Sequence, residues 1–137
     1  MEKNNVKIIF KSYMYDTDEQ IELTANGKHY IKDELHYVMY NEETEGGKCT
    51  RNIMKFNGEY LEVSKLGVTK TNMYYKLGYR HNDRYRTPFG EYDMCIDTDK
   101  YILVVSEKRY KVLVEYNLQL GGVHVSKCKV ELVVEEL

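Results

Sequence analysis

The chain has 137 residues and a formal net charge of -2, enough for one domain that buries roughly two thirds of its unfolded surface without staples. The near-neutral balance gives no steering toward nucleic acid or acidic membranes, and no apolar run reaches signal-peptide or membrane-span length. The 14 tyrosines, the absence of tryptophan and the many Val, Ile and Thr favour sheet over helix. Cys49, Cys95 and Cys128 are odd in number, widely spaced and without a Cys-x-x-Cys. That predicts structural thiols, half-buried, in a reducing cytoplasm.

Val6, Ile8, Phe10 and Met14 mark a first strand, closed by turn chemistry at Asp16-Thr17-Asp18. Ile21, Leu23 and Ala25 alternate with Glu22 and Thr24 in a second strand, which Gly27 is expected to bulge or bend. A turn at Lys32-Asp33-Glu34 returns the chain through Leu35, Tyr37 and Met39, and Glu42 to Gly47 reads as an acidic loop. Asn57-Gly58 between two alternating runs predicts a two-residue type I′ hairpin turn. That register sets Phe56 opposite Glu59, Met54 opposite Leu61, Asn52 opposite Val63 and Thr50 opposite Lys65. Phe56, Met54, Leu61 and Val63 then share the core face. A three-residue loop at Leu66-Gly67-Val68, with Gly67 left-handed, would pair Lys65 with Thr69, Val63 with Thr71 and Leu61 with Met73. It would also carry Tyr75 and Leu77 inward.

Pro88 is the only proline, and it cannot donate to a ladder, so Tyr85-Arg86-Thr87-Pro88-Phe89-Gly90 reads as a corner between two sets of hairpins. Tyr92, Met94 and Ile96 alternate beyond it, and Asp97-Thr98-Asp99-Lys100 reads as a turn before the apolar run Tyr101 to Val105. Ser106 to Arg109 is a polar turn. Val112, Val114, Tyr116, Leu118 and Leu120 alternate, Gly121-Gly122 turns the chain, and Cys128, Val130, Leu132 and Val134 form the last inner face. The sum is an all-β chain, residues 1–137 as one domain, of about eight to ten strands in hairpin succession. Closure into an antiparallel up-and-down barrel removes the exposed edges such a chain would have. A β-sandwich is the alternative.

Chemistry-bearing patterns are sparse. His29, His36, His81 and His124 lack metal-ligand spacing. His29 and His36 share a face only if the turn between them has two residues. There is no nucleophile elbow, no phosphate loop and no cofactor motif, so the reading is a non-enzyme without cofactor or metal. Thr50, Asn52, Lys65, Thr69 and Thr71 continue the core face at the end of the hairpin away from Asn57-Gly58, with Tyr75 on the same face. An apolar interior with a few convergent polar groups is how small-molecule sites are built. This end is therefore the candidate mouth of a ligand pocket, with Lys65 meeting an anionic group. Strand ends that turn polar simply because they meet solvent are the structural counter-reading, which makes the protein an interaction barrel with a filled interior. Residues 65–86 carry a local charge of +5, from Lys65, Lys70, Lys76, Arg80, Arg84 and Arg86 against Asp83. With Tyr74, Tyr79 and Tyr85 interleaved, this is a third candidate, a surface for single-stranded nucleic acid. Edge protection by exposed Lys and Arg explains the same residues without a ligand. The partners in view are a small molecule and a second copy of the chain, with no membrane.

From Ile21 to about Val134 the chain resembles the YwiB-like family of small bacterial proteins of uncharacterised function. The resemblance rests on the Tyr85 to Gly90 corner with the Met94/Ile96/Thr98 strand after it, on Lys65-Leu66-Gly67, and on Val114-Glu115-Tyr116-Asn117-Leu118 before a glycine turn. It implies a closed lipocalin-like (calycin) barrel in a bacterial cytoplasm and brings no activity. The family pattern that this stretch resembles has Arg-x-Gly where this chain has Lys65-Leu66-Gly67, which weakens the case for planar, bidentate anion capture at that spot. The tryptophan motif of lipocalins and the helical lid of fatty-acid-binding proteins have no counterpart here.

Overall fold

Period-two alternation becomes ten antiparallel strands in the computed structural model, which describes residues 3–43, 46–47, 49–67, 70–87 and 90–137, with Arg86 and Thr87 as backbone only. They are β1 (Asn4–Met14), β2 (Glu19–Lys32), β3 (Leu35–Glu43), β4 (Cys49–Phe56) and β5 (Tyr60–Leu66). The second half has β6 (Thr71–Lys76), β7 (Arg80–Thr87), β8 (Gly90–Ser106), β9 (Arg109–Leu120) and β10 (Val123–Glu136). The sheet order β6-β5-β4-β3-β2-β1-β10-β9-β8-β7 is an up-and-down meander joined by the β1–β10 ladder. The seam lies between β6 and β7, where the His81 Nε2 sits 3.0 Å from the Asn72 carbonyl oxygen and the Gly78 N–H donates to Thr98 O. The result is a nearly closed barrel, not a sandwich. No helix among the described residues is long and apolar enough to cross a membrane. The Pro88 corner and Thr69 lie outside the described residues.

Inward positions pack the interior at one end of the barrel. Ile8, Phe56, Leu61, Ile96 and Leu132 are fully buried, each contributing about 1.5–3 kcal/mol relative to exposure. At the end holding the β2–β3 and β4–β5 turns, His29 and His36 stack with rings 5.2 Å apart, and His36 lies on Phe56 at 4.6 Å. Tyr110 closes against both imidazoles. His29 Nε2 and His36 Nδ1 are 2.9 Å apart and share one hydrogen bond. Burial lowers both imidazole pKa values, His36 to about 4 with His29 as the second cause, so the pair is neutral.

Local turn chemistry departs from the sequence expectation in four places. The Asn57 side chain accepts from the Glu59 and Tyr60 N–H groups at 2.8 and 3.0 Å, which moves the turn to Gly58-Glu59. The ladder becomes Phe56–Leu61, Met54–Val63 and Asn52–Lys65, two residues from the predicted pairing. An even shift keeps every side chain on its face, so the core face is the predicted one. The next pairing shifts by the same amount, to Lys65–Thr71, Val63–Met73 and Leu61–Tyr75. Gly67 is not left-handed there; it lies so close over Thr50 that a Cβ would overlap it. Tyr75 is buried as predicted, but Leu77 is past the end of β6 and exposed.

Asp33 and Glu34 both have positive φ, 52° and 67°, so the two-residue I′-like turn is found here. It brings His36, Val38 and Tyr40 inward in place of Leu35, Tyr37 and Met39. Tyr37 instead stacks on Tyr30 at 4.7 Å. Finally, Asp97 to Lys100 is not a turn. β8 runs through it with a register shift between Thr98 and Lys100, and the extra residue moves the inward phase from Met94, Ile96 and Thr98 to Tyr101 and Leu103.

The bulge has a purpose in packing. It turns Tyr101 inward, and its hydroxyl reaches the carbonyl oxygens of Asn57 and Tyr60, each at 2.7 Å. Burial, then the neighbouring Tyr60 and Tyr74, raise the phenol pKa, so it remains a donor. Tyr101→Phe is expected to cost about 1–2 kcal/mol in urea unfolding, the loss of one buried hydrogen bond. An unchanged midpoint would mean the turn is held by Asn57 alone.

Candidate functional site

The end opposite the histidines is hollow. β2 pairs with β1 from Glu19 to His29 but with β3 only from Lys28 to Lys32. Residues 19–27 of β2 and 40–43 of β3 therefore part without a ladder. Gly27 stands at the fork, facing inward, where a Cβ would overlap the Met39 carbonyl oxygen and come 2.7 Å from Ile8 Cδ1. A cavity of about 350 Å³ opens beside this gap. Its floor is apolar and aromatic: Met54, Val63, Tyr75, Tyr116 and Val130 are buried there, with Phe10 and Met73 half-buried. Its rim holds Ser12, Ile21, Glu22, Tyr40, Glu42, Lys65 and Tyr85.

The phenols are neutral. Burial raises the pKa of Tyr40, Tyr75 and Tyr116, with Glu42 adding to the effect at Tyr40. The Tyr75 hydroxyl donates to the Met73 sulfur at 3.2 Å, and its ring meets Tyr116 at 4.9 Å. At the rim, Asn52 Nδ2 donates to Glu42 Oε1 at 2.8 Å, and Lys65 Nζ lies 3.7 Å from the same oxygen. The ammonium thus already faces a carboxylate of its own chain.

Of the predicted pocket residues, Lys65 and Tyr75 line the cavity. Thr50, Asn52 and Thr71 are buried in the same polar layer, with Asn52 and Thr71 paired across the ladders to Lys65. Thr69 lies outside the described residues. Glu42 was not legible: its acidic surroundings read as a loop, yet it belongs to β3 and organises the polar layer.

The basic–aromatic set divides between faces. Tyr85 lines the cavity. Tyr74 and Tyr79 cluster with Tyr60 and His81. Arg80 makes two bonds to Asp97, at 2.8 and 3.1 Å, and Arg84 pairs with Glu91 and Asp93. Two of the six cations of this stretch, Arg80 and Arg84, are therefore answered within β7 and β8. Lys70 is exposed and Lys76 half-buried; for Arg86 only the backbone pairing with Glu91 is described. A groove of about 600 Å³ past Arg80, Arg84 and Asp93 is lined by these paired charges. The thiols also differ from expectation, ranging from exposed Cys49 through Cys95 to buried Cys128, and all three are free.

The comparisons with known proteins agree with this architecture. A protein of Bacillus subtilis (strain 168) described as "Uncharacterized beta-barrel protein YwiB" is 27% identical over 113 residues, covering 81% of this chain and 79% of that one. The crystal structure of the ywiB protein from Bacillus subtilis superposes with a TM-score of 0.84 at 23% identity, covering 98% of this chain and 93% of that chain, and so shares the fold. The family model described as "Domain of unknown function (DUF1934)" matches residues 6–132. The chain belongs to this family of YwiB-like β-barrel proteins.

Proposed function

We propose that the protein is a non-enzymatic binding module that holds one small amphipathic molecule in the open end of the barrel, in the manner of a lipocalin-like carrier. The observation that carries this is the cavity of about 350 Å³, with an apolar and aromatic floor and a polar rim at the β2–β3 fork. Ligand sites have volumes of about 300–1,000 Å³ and place a few polar groups around an apolar wall. The three free thiols, one of them exposed, support a cytoplasmic setting.

The test is a thermal-melt series with octan-1-ol as an apolar-tailed probe and Val63→Phe as a variant that fills the floor. Saturating probe at a hundredfold excess over its Kd adds about 2.7 kcal/mol to wild type, several degrees in Tm. The Val63→Phe protein, first shown to melt cooperatively, should gain nothing. Equal stabilisation of both would place the probe elsewhere and contradict the proposal.

A further inference from the structure

We infer that the molecule held in the open end carries a cationic head group, an organic amine or quaternary ammonium. This rests on the reading of the cavity as a ligand site. The cavity lining carries two carboxylates, Glu22 and Glu42, and one ammonium, Lys65, a net formal charge of -1, and Lys65 pairs with Glu42. The two charged partners at the centre are not equally free to move. Glu42 is tethered by the Asn52 amide at 2.8 Å, and Asn52 is wholly buried. Lys65 meets Glu42 only at 3.7 Å, and 36% of its side chain is exposed. A cationic guest can displace the lysine into water and take its place on a fixed carboxylate. An anionic guest that took Lys65 from Glu42 would lie beside a like charge held in place by Asn52.

The walls hold aromatic rings, Phe10, Tyr40, Tyr85 and Tyr116, whose negative faces attract a desolvated cation. Thioether sulfurs of Met54 and Met73 complete a soft, electron-rich lining.

The experiment compares three probes with one tail: octyltrimethylammonium, octyl sulfate and octan-1-ol, titrated calorimetrically below their aggregation concentrations. The cation should bind about tenfold more tightly than the sulfate and the alcohol. Glu42→Gln should shrink that preference, read as the ratio of cation to octan-1-ol affinity within the same variant, at least about threefold. Glu22→Gln, at an exposed position, gives the same direction without burdening the fold. Octyl sulfate binding as tightly as the cation, with octan-1-ol still excluded by Val63→Phe, would overturn the cationic assignment and leave the pocket standing. Failure of all three probes to bind would overturn both.

Discussion

Gly27→Ala is expected to destabilise the protein by about 3 kcal/mol in equilibrium urea unfolding. The magnitude is set by geometry. A methyl there would overlap the Met39 carbonyl oxygen and crowd Ile8 Cδ1 and Tyr40 Cβ, and overpacking a rigid site typically costs about 1–3 kcal/mol. The carbonyl belongs to backbone, so no rotamer change can relieve the contact. Gly27 does not have a left-handed φ, and replacing a glycine in ordinary extended conformation would otherwise stabilise by about 0.4–1 kcal/mol through the unfolded state. The sign of the change therefore discriminates. A stabilised Gly27→Ala variant would mean that β2 and β3 do not approach so closely at the fork.

The second large effect is acid sensitivity from the buried histidine pair. Both imidazoles have folded pKa values below the usual 6.5 because burial disfavours the charged form, and His36, with His29 beside it as a second cause, lies at about 4. The unfolded chain binds protons below pH 6.5 that the folded chain refuses. This contribution is complete above pH 6.5 and is lost as the pH falls toward 4. A displacement of that size corresponds to about 3 kcal/mol, and solvent access at His36 reduces the expected loss to about 2 kcal/mol. His36→Gln should flatten the stability profile between pH 6.5 and 4, whatever it does to stability at pH 7. An unchanged slope in that variant would show that other groups govern the acid limb.

Both effects sit where local sequence signals and tertiary structure disagree. Alternation alone placed Phe56, Met54, Leu61 and Val63 inside, since the pleat fixes faces regardless of register. The register itself was set elsewhere. Asn57 spends its side chain on two turn N–H groups and displaces the expected Asn-Gly turn by one residue. Asp33-Glu34, with no glycine to recommend it, adopts the positive φ values instead, because the His29–His36 and Tyr30–Tyr37 stacks on the two faces of that hairpin lock its register.

Asp97 to Lys100 has turn composition, but the partner strand β9 continues past it, so the chain absorbs the polar residues as a bulge. For the site, the polar layer of Asn52, Lys65 and Thr71 was legible as a continuation of the core face. Its organiser Glu42 was not, because inwardness on β3 depends on the two-residue turn before it. Tyr85 was read with the basic surface for a similar reason: only the closing of β7 across the seam shows that it faces the cavity.

The most direct test of a guest in the open end is a methyl NMR titration of protein labelled at its methionines. Met54 and Met73 line the cavity, while Met94 is buried in the core and Met39 belongs to the outer face of β3. On addition of octyltrimethylammonium, or of octan-1-ol if charge plays no part, the Met54 and Met73 methyl signals should shift together and saturate at one equivalent. The Met94 and Met39 signals should hold their positions. Shifts confined to Met39, or no saturable shift at Met54 and Met73 with either probe, would contradict a ligand site in the barrel mouth.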